Sequence, residues 1–213
     1  MRRKIKGVAV FNNYAEDYDQ WFDDHNHIYH AEINALKKLV PNQGLGLEVG
    51  IGTGRFSHLL GIYLGVDPSR KMAIRAKMRG NSVCQAFGEY LPFNNGVFDY
   101  VALITVVCFV ENISTLFFEV KRVLKKGGYI IIGFIDKNTP LGRVYESRKE
   151  MDKFYCAANF YSSKDIIDKV TESGFYSTRY FQTIFGIPED EVGDIEIREG
   201  FGDGAFVAIS AKK

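Results

Sequence analysis

Short apolar runs of strand length alternate with amphipathic stretches along most of the chain. The runs stand at Leu45–Val49, Ile62–Val66, Ser82–Ala86, Phe98–Ile104, Tyr129–Ile135 and Ala205–Ala211, and Tyr176–Phe185 alternates well enough to join them. Between them, apolar positions recur at helical spacing. One segment carries Tyr14, Tyr18, Trp21 and Phe22 on a single face, and a second, through Ile28, Ala31, Leu36, Leu39 and Val40, stops before Pro41. Further helices are predicted over Arg55–Leu60, from Pro68 and Ser69 to Gly80, over Ser114–Leu124, around Leu141–Lys153, and over Ser163–Ser173 ahead of Gly174. Seven strands interleaved with helices predict an open, doubly wound α/β sheet with helices on both faces, in one domain spanning 1–213. The last two strands lack a credible helix between them, which predicts an antiparallel pair.

The densest chemical information lies between the first two strands. Gly50, Gly52 and Gly54 alternate immediately after Val49, permitting a sharp turn with no Cβ in the way of a ligand, and the helix from Arg55 offers unpaired N–H groups at its start. Glu48 ends the first strand and Asp67 follows the second, where a carboxylate can take both hydroxyls of a ribose. An acidic residue facing a pyrophosphate would be unfavourable. The spacing Glu48-x-Gly50-x-Gly52-x-Gly54 therefore suits a cationic, phosphate-free nucleoside better than a dinucleotide, whose fingerprint is Gly-x-Gly-x-x-Gly.

This stretch resembles the class I S-adenosylmethionine-dependent methyltransferases, which carry an acidic residue and Gly-x-Gly-x-Gly after the first strand and a second acidic residue after the next. The text GEYLPFNNGVFDYVALITVV and the later Arg122-Val-Leu-Lys-Lys-Gly-Gly128 are similar to further motifs of the same group. The resemblance implies a Rossmann-like methyltransferase fold, mostly parallel with an antiparallel C-terminal strand, and S-adenosylmethionine as cofactor. By it, Gly50, Gly52 and Gly54 cradle the cofactor's amino-acid portion, Glu48 orders that loop and the ammonium end, and Asp67 holds the ribose. Phe87, Gly88 and Glu89 line the adenine, and Thr105 lies near the methionine part with Val106 and Val107. Tyr18-Asp-x-Trp21 looks like the N-terminal segment of small-molecule methyltransferases. Residues 1–40 then form a helical cap whose Tyr14 and Tyr18 help close the pocket, and 136–174 a substrate-covering insertion. Its cluster Phe154, Tyr155, Phe160 and Tyr161 reads equally as acceptor pocket or core.

His25, His27 and His30 fall close together, but no cysteine or carboxylate cluster with metal-ligand spacing completes a site, so no metal is expected. They read as a solvated helix face, or as a single base toward an acceptor, for which Tyr18 and His30 are the catalytic candidates.

Composition adjusts the picture at the edges. With 27 basic and 26 acidic residues the formal charge is +1, so nothing draws the chain as a whole to nucleic acid. Together with the single-domain length, this favours a small-molecule methyl acceptor. Cys84, Cys108 and Cys156 form no Cys-x-x-Cys pair, and no run reaches membrane-spanning length, so a reducing cytoplasm is the expected compartment. The opening MRRKIKGVAVF is too poor in apolar residues for a signal-peptide core. The acidic connection from Ile187 to Gly204 reads as a solvated loop. A nicotinamide-dependent oxidoreductase and a non-catalytic S-adenosylmethionine-binding regulatory domain are the alternatives.

Overall fold

A computed structural model describes the backbone of residues 2–186 and 196–213 and the side chains from residue 7 onward. Three helices come first: α1 (Arg2–Asn13), α2 (Ala15–Asp24) and α3 (Asn26–Lys37). There follow β1 (Gly46–Val49), α4 (Arg55–Leu60), β2 (Leu64–Val66), α5 (Arg70–Met78), β3 (Ser82–Cys84), β4 (Phe98–Ile104), α6 (Ile113–Val123) and β5 (Leu124–Ile135). The remainder is α7 (Pro140–Arg148), α8 (Ser163–Glu172), β6 (Tyr176–Phe185), β7 (Arg198–Glu199) and β8 (Gly204–Lys212).

The strands form one sheet in the order β3-β2-β1-β4-β5-β8-β6-β7. Neighbours from β3 to β5 are parallel, while β8 runs antiparallel to both β5 and β6. Two expectations need correcting. The sheet has eight strands where seven were expected, because Arg198 and Glu199, read as loop, add a two-residue edge strand against β6 through Phe181 and Gln182. The expected helix to Lys153 ends at Arg148 and gives way to two short 3-10 turns, Lys149–Met151 and Tyr155–Ala157. Glu189, Asp190, Glu191 and Asp194 of the acidic connection lie outside the described residues.

Strand alternation distributes the core to both faces. Leu47, Val49, Val101 and Leu103 pack with Leu116, Phe117 and Val120 of α6 and Ile166 and Val170 of α8. Tyr100, Ala102 and Ile104 point the other way, onto Phe22, Ile33, Leu36 and Phe56 of α2, α3 and α4. Helix starts are capped as their sequences dictate: Ser69 accepts from the Met72 amide, Asn112 from Thr115, and Ser162 and Asp165 form a reciprocal capping box. No helix among the described residues is long and apolar enough to cross a membrane.

The chain winds from β1 outward through β2 to β3, then returns to the other side of β1 for β4. The turns after β1 and β4 therefore part at the sheet's switch point, where open α/β folds hold their ligands.

Candidate active site

Glycine shapes the floor of this crevice. Gly50, Gly52 and Gly54 all have left-handed backbone, with φ of 75°, 56° and 80°. The turn is fastened from beneath: the Gly50 and Ile51 amides donate to the Val66 carbonyl at 2.8 and 3.0 Å, and the Gly52 amide donates to Asp67 Oδ2 at 2.9 Å. Asp67 Oδ1 accepts from the Ser69 amide at 2.8 Å. Each carboxylate oxygen retains a free lone pair. Burial lifts the Asp67 carboxyl to about 6 against the opposing pull of the two amides.

The three glycines do different work. A Cβ on Gly50 would stand 2.3 Å from Val106 Cγ2, so this position lets the β1 and β4 turns close on each other. On Gly52 it would only touch the Tyr18 ring, 3.6 Å away. On Gly54 it would meet Asn81 Oδ1 at 2.5 Å and Ala76, which makes Gly54 the packing point of α4 on α5, outside the crevice wall.

Above this floor lies a chamber of about 270 Å³. Gly50, Gly52, Asp67, Ser69, Met72, Phe87, Gly88, Glu89 and Thr105 line one part, and Tyr18 lies over the turn. Phe87 and Met72 supply an apolar slot there, while Gly88 fits because a Cβ would stand 2.7 Å from both Val49 and Leu116. Thr105 closes β4 with φ +51°, unusual for a β-branched residue, and Ile184 closes β6 with φ +63°. Both strained residues line the chamber, as strain at a ligand site does.

The other part is aromatic. Phe11, from α1, meets Tyr18, Phe109 and Phe154 with ring centroids 5.7, 5.0 and 5.8 Å away. Tyr155 stands 5.2 Å from Tyr145 and 5.4 Å from Phe160. Burial holds the phenols of Tyr18 and Tyr155 above their ordinary value, so both keep their protons at neutral pH. Burial also pushes the Cys108 thiol up to about 12, which leaves it no ready thiolate.

The structure thus brings together Tyr18, Gly50, Gly52, Asp67, Phe87, Gly88, Glu89 and Thr105. Glu48 stands just behind the wall: it is 1 % exposed, takes the Ser57 hydroxyl, and is pushed up to about 8 by burial, with the Ser57 bond opposing. His30 is not brought to the site. It lies exposed on the outer side of α3 beside the Tyr29 ring, so the expectation of a catalytic base there is withdrawn. The neighbouring His25 stacks on Trp21 at 4.6 Å, and among the described residues no cluster of three or more His, Cys, Asp or Glu could hold a metal. Phe11, Phe109 and Glu32 are chamber residues that the sequence reading missed.

Helix α2, which carries Tyr18, is fixed to this turn by charge. Asp19 receives Arg55 at 3.0 Å and Arg79 at 2.6 Å, and Arg55 also bonds Asp23 at 2.6 Å. Burial would raise the Asp19 carboxyl, but these guanidinium bonds outweigh it and hold the group down at about 2.

The comparisons with known proteins agree with this geometry. Residues 47–132 match a methyltransferase domain family. An uncharacterized protein of Methanocaldococcus jannaschii is 50% identical over 97% of this chain and its own full length. A crystal structure of a Thermotoga maritima SAM-dependent methyltransferase, described as a possible histamine N-methyltransferase, is 39% identical with a TM-score of 0.93, covering 96% of this chain and 99% of its own. The chain belongs to the S-adenosylmethionine-dependent methyltransferases. At 16% identity and TM-score 0.65, over 97% of this chain and 99% of its own, the Synechocystis magnesium protoporphyrin IX methyltransferase with bound SAH shares the fold. Family membership displaces the nicotinamide alternative, and S-adenosylmethionine is the cofactor.

The methyltransferase chamber fits that cofactor. Its described lining carries four carboxylates, Glu32, Asp67, Glu89 and Asp152, and no Lys, Arg or His, which suits a cation lacking phosphate. The glycine turn leaves its backbone open, and Asp67 has lone pairs to spare for a ribose.

Proposed function

We propose that this methyltransferase acts on a small-molecule acceptor held in the aromatic part of the chamber. The observation that carries the reading is enclosure: α1, α2 and the 136–174 segment wall the space over the glycine turn with Phe11, Tyr18, Phe154 and Tyr155. A protein or nucleic-acid strand would need an open groove. The balanced charge of +1 points the same way.

When bound, S-adenosylmethionine supplies a methyl group already activated as a sulfonium. The chain's own part is then positioning and exclusion of water, and alignment of two reactants can recover roughly 7–11 kcal/mol of barrier. In this reading Asp67 holds the ribose, the open backbone at Gly50 and Gly52 receives the amino-acid portion, and Phe87, Gly88 and Glu89 flank the adenine. Glu48 acts one step back, bracing the turn through Ser57 of α4. Gly54 acts likewise, by letting α4 pack on α5. Residues 1–40 serve as a cap and 136–174 as the acceptor cover. Tyr18, protonated and lying over Gly52, orients the acceptor as a hydrogen-bond donor.

The Thermotoga maritima relative, described as a possible histamine N-methyltransferase, supports an acceptor of this size. The test is an acceptor screen that reads S-adenosylhomocysteine formation. Turnover on small amines, phenols or thiols is expected, and turnover confined to RNA or protein would overturn the reading.

A further inference from the structure

Glu32 is the one chamber carboxylate that neither the cofactor reading nor the fold uses. It sits on α3 between Ile28 and Leu36, one helical turn from each, on a face that is otherwise apolar. Its residue is 5 % exposed, and its carboxylate has no hydrogen bond or ion pair with any described residue. The other three lining carboxylates are all engaged: Asp67 with two backbone amides, Glu89 with the Glu111 amide at 3.2 Å, and Asp152 with the amides of Phe154 and Tyr155 at 2.7 and 2.9 Å. A buried carboxylate without a partner is costly, and a hydrophobic side chain at this position would pack with less penalty. Its presence asks for a ligand.

Chemistry narrows what that ligand is. Among the described residues, the titratable groups facing Glu32 are Tyr18 of α2, Tyr29 of its own helix, Tyr145 of α7 and Tyr155 of the second 3-10 turn, all neutral phenols, and no described cation lines the chamber. Aromatic faces and a lone carboxylate together form a receptor for an organic cation. Resting on the small-acceptor reading above, we infer that the acceptor is an amine, bound as its ammonium ion by the Glu32 carboxylate, and that Glu32 takes the proton which must leave before nitrogen can react.

The step balances. The ammonium gives one proton to Glu32 and recovers its lone pair. The nitrogen then forms a bond to the methyl carbon as the carbon–sulfur pair withdraws onto sulfur, leaving a thioether and an N-methylammonium ion. The proton on Glu32 departs to solvent with product release. With burial lifting the empty Glu32 carboxyl to about 8, the residue is mostly neutral at pH 7 before the amine arrives, so binding an ammonium there expels close to one proton.

The experiment uses the full chain saturated with S-adenosylhomocysteine, whose own binding is measured first by calorimetry. Three matched probes follow: 2-phenylethylamine, 2-phenylethanol and 3-phenylpropanoate. The amine is expected to bind at least tenfold tighter than the alcohol, with the carboxylate weakest. Calorimetry in two buffers of different ionisation enthalpy should find near one proton released at pH 7 and far less at pH 9. In Glu32→Gln and Glu32→Leu the preference and the proton release should both vanish, while S-adenosylhomocysteine still binds and the melting temperature holds or rises. Equal binding of amine and alcohol, no binding of any probe, or a preference that survives in Glu32→Gln would overturn the assignment. Loss of S-adenosylhomocysteine binding in the unaltered chain would instead fail the cofactor site itself, so the two readings part.

Discussion

Asp67 holds the amide of Gly52 at 2.9 Å, and so the residue proposed to grip the ribose is also the strut that sets the turn beneath it. Asp67→Asn keeps one acceptor oxygen and loses the charge. Affinity for S-adenosylhomocysteine should fall by ~1.5–3 kcal/mol, the worth of hydrogen bonds to a charged group, and isothermal calorimetry measures it directly. Because the ionised form is the one that binds, and burial holds the empty site's carboxyl near 6, affinity should weaken as pH drops below that value and level off above it. A pH-independent affinity between 5 and 8 would contradict this.

Gly50→Ala should be far worse than Gly52→Ala. At Gly50 the new methyl would collide with Val106 at 2.3 Å, whereas at Gly52 it would reach van der Waals distance of Tyr18 at 3.6 Å, and both share the penalty of a left-handed backbone. Pairing Gly50→Ala with Val106→Ala should restore part of the lost stability but not the ~1–2 kcal/mol of backbone strain. Thermal unfolding of the single and double variants separates the two costs.

Stability of the ligand-free chain should decline as pH rises from about 4.5 to about 8. The folded state lifts the Glu48 carboxyl from its ordinary 4.5 to about 8, mainly through burial, and Glu32 behaves alike. Over that window the folded chain keeps protons that the unfolded chain has lost, so raising the pH favours unfolding. Melting temperatures taken from pH 5 to 8.5 should slope downward, and Glu48→Gln, which preserves an acceptor for Ser57, should flatten the slope.

His30→Ala should leave turnover unchanged. The ring lies on the solvent side of α3, away from the chamber, and steady-state rates on any acceptor found in the screen will read this. A tenfold loss would mean that α3 presents a different face to the acceptor.

Why His30 misled and Glu32 escaped notice is a matter of helical angle. Ile28, Glu32 and Leu36 recur every four residues and share the buried face, whereas His30, two positions from Glu32, points some 200° away at about 100° per residue. A carboxylate inside an apolar spacing was the signal, and it was visible in the sequence. The parallel core was legible for a similar reason: β1, β2 and β4 are largely buried on both faces and read as apolar text broken only by Glu48 and Asp99. Pairing without burial was not. β5 begins at Leu124, five residues before the apolar run at Tyr129: Leu124 pairs with Phe98, and the register shifts across exposed Lys125 and Lys126, with the Lys125 ammonium paired to Asp99, before Tyr129 meets Tyr100. The meeting of Phe11, Phe109 and Phe154 was equally hidden, since three distant segments converge there and no local period records it.

The ion cluster at Asp19 bears on how molecules come and go. Arg55, leaving the glycine turn, and Arg79, at the end of α5, clamp the helix beneath Tyr18 through Asp19, so that flank behaves as a fixed jamb. Among the described residues, the Phe11–Phe154 flank is held by ring contacts, by Lys153 with Asp17 and the Tyr14 and Phe154 rings, and by the two bonds Asn12 accepts from the Ser69 hydroxyl and the Lys71 amide, with no buried ion cluster of its own, which makes it the looser leaf. Traffic through such a doorway depends on how readily aromatic rings part, so cofactor exchange should respond to temperature far more than to added salt.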